Sequence, residues 1–149
     1  MATATLPKNP IANWEKVRDE WIDRLKSLVD DVETWAKELG WATRRIEKRM
    51  EDSQLGEYRA PALVMQEGFA RIQVEPIARF ATGVEGVVDL YLMPAYDDIA
   101  SLSFAEGKWR VHSWTNGAKV NGDVLDAEPI PLSKEVLAKV LGEMSQNAA

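Results

Sequence analysis

"VVDLYLMPAYDDIASLSFAEGKWRVH", residues 87–112, decides the fold of this chain. In "VVDLYLM", Val88, Leu90 and Leu92 fall on one side and Asp89, Tyr91 and Met93 on the other, which is the period of a strand. "PAYDD" reads as a loop, "IASLSFA" as a second strand, "EGK" as a tight turn and "WRVHSWT" as a third strand. Strands joined this closely run antiparallel. Pairing Ala105 with Lys108 across the turn sets Arg110 opposite Ser103 and His112 opposite Ser101.

The alternation extends upstream. "ALVMQ" is a short apolar run, and "FARIQVEPIARFA" alternates until Pro76, where a shift of phase marks an edge strand or a bulge. "TGVEG" is a turn. Closing it with Ala81 opposite Val87 brings Arg79 across from Asp89, an opposite-charge pair worth about 0.2–1 kcal/mol. The result is an antiparallel meander of four to five strands. Its apolar face carries Leu90, Leu92, Leu102, Phe104, Trp109 and Val111. Its polar face carries Glu75, Arg79, Asp89, Tyr91, Ser101, Ser103, Arg110 and His112, with Trp114 beyond. Further on, Asn116-Gly117 and Asn121-Gly122 are turn signals suited to a small extra hairpin, and "AEPIP" is a rigid connector.

Helical patterns bracket the meander. Between Trp14 and Met50 the apolar residues Val17, Trp21, Leu25, Leu28, Val32, Trp35, Leu39, Ala42 and Ile46 recur at steps of three and four. Asn13 suits an N-cap, or Asn9 with Pro10 in the first turn, and Gly56 suits a left-handed stop. Such a helix, about 43 residues long, would reach about 65 Å, more than a domain of this size spans. It breaks near Gly40 in "KELGWATR", or it projects and pairs with a partner. Ile22, Val29 and Ala36 widen the apolar stripe beyond a coiled-coil seam, favouring packing on the chain's own sheet. A homodimer through this N-terminal helix stays open. At the other end Ser133 is an N-cap, Leu132 can staple onto Leu137, and Val136, Val140, Leu141 and Met144 complete an apolar face. Segregated helices and an antiparallel sheet make the fold α+β. We expect one domain over 13–145, a flexible segment over 1–12 and a disordered tail over 146–149.

The chain has 149 residues, no cysteine and a formal charge of −6. Disulfides, thiolate zinc sites and cysteine nucleophiles are excluded. We expect no signal peptide, no membrane span and a soluble, cytoplasmic protein. The acidic balance argues against nucleic acid, whose binders carry basic patches. The basic run "RRIEKR", Arg44–Arg49, reads as a solvated helix end.

One constellation points to chemistry. Asp89 on a strand, followed one hairpin later by Glu106-Gly107-Lys108, resembles the core of the PD-(D/E)xK nuclease superfamily. The resemblance covers roughly residues 86 to 110. It implies that Asp89 and Glu106 hold a divalent metal while Lys108 stabilises charge on the attacked phosphate. The residues themselves favour a turn. "EGK" between two alternating runs is how a hairpin is written, Glu106 leaves the ladder at its tip, and the surface is acidic.

His112 is the single histidine, and Ser101 and Ser103 lack a nucleophile-elbow motif. No cofactor is called for. Asp97 and Asp98, with Glu85 and Glu106, suggest an acidic rim at the strand ends. Of the six tryptophans, Trp14, Trp21 and Trp35 belong to the core stripe, while Trp41 and Trp114 fall off it and suit an interface. The reading that best joins these features is a small acidic interaction module of immunity, adaptor or chaperone type. It binds a basic protein partner through Arg79, Asp89, Tyr91, Asp97, Asp98, Arg110, His112 and Trp114. A metal-dependent nuclease and a small-ligand cup between helix and sheet are the alternatives.

Overall fold

A computed structural model describes the backbone of residues 5–95, 97–114, 129–146 and 148 and, outside 5–12, 97–99 and 112–114, their side chains. Helix α1 (Thr5–Glu38) leads into seven strands. These are β1 (Ala42–Asp52), β2 (Gly56–Glu67), β3 (Ala70–Ala78), β4 (Val87–Leu92), β5 (Asp97–Ala105), β6 (Lys108–Trp114) and the short β7 (Ile130–Pro131); helix α2 (Lys134–Ser145) closes the chain. The strands form one antiparallel sheet in sequence order. The fold is α+β, with more strands than the meander read from sequence. Among the described residues, no helix is long and apolar enough to cross a membrane. Tyr96 and the two Asn-Gly turns lie outside the described residues.

The long helical pattern does break at Gly40, but the element after the break is a strand. Gly40 takes φ +95°, a conformation that costs a glycine little. Its N–H donates to Lys37 O at 3.1 Å, and the Trp41 N–H donates to Ala36 O at 2.9 Å. These two bonds form a Schellman cap, in which the next apolar residue folds back on the last turn. Trp41, expected at an interface, is therefore buried. Beyond it Ala42, Ile46 and Met50 sit on β1, and β1 pairs with β2 along its whole length, from Ala42↔Gln66 to Asp52↔Gly56. Apolar residues spaced by four satisfy a period of two as well as one of 3.6, which is why this segment mimics a helix. Gly56 has a positive φ of 76°, but it serves the β1–β2 hairpin and not a helix end.

α1 is about 51 Å long at 1.5 Å per residue. It starts at Thr5, ahead of the Asn13 cap. Its stripe of Trp21, Leu25, Leu28, Val29, Val32 and Ala36 is buried in one core with Leu63, Met65, Ile72, Val74, Val88, Leu90, Leu92, Leu102 and Val111 of the sheet. The stripe is thus taken up by the chain's own sheet. α2 begins at Ser133, whose hydroxyl accepts from the Val136 N–H at 3.2 Å. It adds Leu137, Val140, Leu141 and Met144 to the same core, and Lys134 reaches Glu38 of α1 at 3.0 Å. Both helices therefore pack on one face of the sheet.

Candidate interaction surface

The opposite face is the one that no described element crosses. Register fixes which residues stand on it. Glu75, Asp89, Ser101 and Ser113 form one row across β3 to β6, beside a second row of Val87, Ser103, Arg110 and Pro131 and a third ending in Gln73 and Tyr91. Six of the expected polar-face residues are here: Glu75, Asp89, Tyr91, Ser101, Ser103 and Arg110.

Arg79 is not. A register shift between Pro76 and Ala78 pairs Ala78 with Val87 and Glu75 with Asp89. The chain from 79 to 86 then forms a longer connection, with only Ala81 bridged to Val84. Arg79 instead lies over the Phe80 ring, 5.0 Å from its centroid, and near Arg24. Arg24 donates to Glu85 O at 3.0 Å and covers the Phe104 ring at 4.0 Å. Burial, then the neighbouring Arg79 charge, pulls the Arg24 pKa below its ordinary value, with Glu85 and Glu20 opposing.

A second bulge corrects His112 and Trp114. Ser113, not His112, pairs with Ser101, and Leu102 pairs with Val111, so His112 is the extra residue. A bulge puts two residues of one strand against one of its neighbour, and the register beyond it moves by one residue. Trp114 consequently pairs with Ala100, in the apolar row of Leu90, and not in the polar one.

The acidic rim also divides. Asp97 pairs with Leu92 at one end of β4, whereas Glu85 and Glu106 stand at the end that begins with Val87. Glu106 occupies the tip of the β5–β6 hairpin, with φ 55° followed by φ 78° at Gly107, the two left-handed positions of a type I′ turn. Ala105 pairs with Lys108, as the turn reading requires. Asp89 is opposite Ser101, and five residues of strand, roughly 16 Å at 3.3 Å each, separate Ser101 from Glu106. The nuclease resemblance is therefore not realised as a site, because one ion cannot bridge carboxylates so far apart. Glu106 pairs with Arg110 at 3.3 Å instead. Among the described residues no cluster of three metal-binding side chains forms.

What the face does assemble is two half-buried carboxylates directly opposite one another. Glu75 accepts from Lys48 Nζ at 2.6 Å and from Gln73 Nε2 at 2.8 Å. Lys48 spans from β1 and also donates to Pro76 O at 2.9 Å. Asp89 accepts from the Ser101 hydroxyl at 2.8 Å and the Tyr91 hydroxyl at 3.2 Å, and it forms no ion pair among the described residues. Among the described residues, Lys48 is the one cation paired with these two carboxylates, and it binds Glu75. Lys48 is hidden from a sequence reading because its segment mimics a helix. Gln73 is legible from the alternation with Ile72 and Val74. No family model, curated protein or solved structure matches the chain.

Proposed function

We propose that this chain is a protein-interaction module whose open sheet face receives a basic side chain of a protein partner at Asp89. One observation carries the reading. Like charges directly opposed on neighbouring strands are destabilising, and Asp89 stands against Glu75 with hydroxyl donors and, among the described residues, no cation. A guanidinium or ammonium group brought by a partner would complete the pair. Ser101 and Tyr91 hold the carboxylate in place for it, and the half-buried Arg110 offers a flanking polar contact. Charge complementarity of this kind confers salt-sensitive association and selects against acidic partners. We place this exchange in the cytoplasm, with which a chain lacking cysteine is compatible.

The test is capture of partners from host lysate by tagged protein at low and high salt, alongside Asp89→Lys and a charge-matched control, Glu15→Lys, on the exposed side of α1. A stoichiometric partner with a basic contact surface should bind the wild type and the control at low salt, and be lost from Asp89→Lys. Capture that survives Asp89→Lys unchanged would overturn the proposal.

A further inference from the structure

β1 is an edge strand of eleven residues. One side is paired with β2 throughout, and no described strand pairs with the other. Every second residue of such a strand turns both its N–H and its C=O away from the sheet, so β1 presents a long row of backbone groups that no described residue pairs. Charged residues on an edge ordinarily discourage pairing with another strand. Here the charges have an order of their own. In "RRIEKRMED", residues 44–52, the pattern is antisymmetric about Lys48. Arg44 mirrors Asp52, Arg45 mirrors Glu51, Ile46 mirrors Met50, and Glu47 mirrors Arg49.

An antiparallel pair of β1 strands about a two-fold axis at Lys48 sets each residue against its mirror image on the second copy. All charged mirror pairs are then of opposite sign, and the apolar pair meets itself. Only Lys48 faces its own copy, and its ammonium group is turned to Glu75 and Pro76 O. A two-fold axis normal to a sheet keeps each residue on its own face, so the axis must pass beside a residue paired with itself. Moving it to Glu47 opposes Arg45 to Arg49. Moving it to Arg49 opposes Glu47 to Glu51. Both shifts set like charges face to face, which is destabilising.

We infer that β1 is a homodimer interface at which two copies join edge to edge in the register centred on Lys48, making one continuous sheet. The two-fold is isologous, as in most dimers. Arg44, which has no ion-pair partner among the described residues, gains Asp52 of the second copy, and Glu51 comes opposite Arg45, whose guanidinium also holds Asp30 and Glu33. The charges disfavour the registers one residue to either side, and an axis at Met50, which also opposes unlike charges, would pair only residues 48–52 of the eleven in β1.

The test uses Glu47 and Arg49, whose own ion pairs, with Arg59 at 3.8 Å and with Glu57 at 3.0 Å, are highly exposed and contribute little to folding. Sedimentation equilibrium should find wild-type dimers. Glu47→Arg opposes arginine to arginine across the axis, and Arg49→Glu opposes glutamate to glutamate. Each variant alone should weaken the dimer about tenfold or more. An equimolar mixture of the two should recover it, because in the mixed dimer every such pair is again of opposite sign. Circular dichroism establishes that both variants are folded. A monomeric wild type, variants that dimerise as well as the wild type, or a mixture no tighter than its components would each overturn the inference.

Discussion

Glu75 and Asp89 face each other across β3 and β4, on the side of the sheet opposite both helices, and among the described residues Lys48 is the one cation paired with either, at Glu75. Replacing Asp89 by asparagine removes the repulsion. The amide oxygen can still accept from Ser101, and the amide nitrogen can donate to Glu75. We predict that Asp89→Asn stabilises the free protein by about 0.2–1 kcal/mol in urea unfolding. Residues kept for binding at some cost in stability behave in this way. Clear destabilisation would instead make Asp89 a structural acceptor.

Trp21 lies directly on Gly86, the residue before β4. A Cβ at Gly86 would fall 2.4 Å from Trp21 Cζ3 and 2.9 Å from Cη2. The indole is wholly buried, near Trp109 and bonded to Tyr58, so it has little room to move. Gly86→Ala should cost about 1–3 kcal/mol by overpacking, measurable as a lowered urea midpoint. Gly142→Ala, on α2 with open space around it, should not.

The Trp21 Nε1–H donates to the Tyr58 hydroxyl at 3.1 Å, joining α1 to the outer part of the β1–β2 hairpin. Tyr58→Phe keeps the ring and leaves a buried donor without its acceptor. The expected loss is about 1–3 kcal/mol, with amide exchange in Met50–Tyr58 accelerated more than in β4 or β5.

Glu33 of α1 accepts from Arg45 Nε at 2.9 Å and from Thr43 Oγ1 at 3.0 Å, and Arg45 also bonds Asp30. Burial pushes the Glu33 carboxyl up, but the hydrogen bonds from Arg45 and Thr43 and the charges of Arg45 and Lys37 outweigh it, holding the pKa below its ordinary 4.5. A carboxyl depressed in the folded state contributes stability that is fully present above the unfolded pKa and is lost as pH falls through the folded one. The difference in unfolding free energy between wild type and Glu33→Gln should therefore be constant above about pH 4.5 and shrink toward acid. Because Arg45 is 43% exposed, we expect no more than about 1 kcal/mol.

Much of this architecture is legible in the chain. The period-two runs from 87 to 112 give β4, β5 and β6 and the row of polar residues around Asp89. "EGK" gives the turn, and Ser133 gives the start of α2. What misleads is ambiguity of period and of register. Ala42, Ile46 and Met50 fit helix and strand equally, and only the cap bonds at Gly40 and the pairing with β2 decide between them. The bulges at Pro76 and His112 each shift one strand by a residue, and a one-residue slip moves side chains to the other face. That is why simple alternation assigns Arg79 and Trp114 to a face that the register denies them, while it places Asp89 and Arg110, on the near side of both bulges, correctly.

The most direct measurement of the central claim is the affinity of the captured partner for wild-type protein and for Asp89→Asn, by calorimetry at two ionic strengths. If a partner's basic side chain binds between Asp89 and Glu75, the substitution should weaken binding about tenfold at low salt. The gap should narrow as salt rises, while the variant remains at least as stable as the wild type. Equal affinities at low salt, with both proteins folded, would contradict the account.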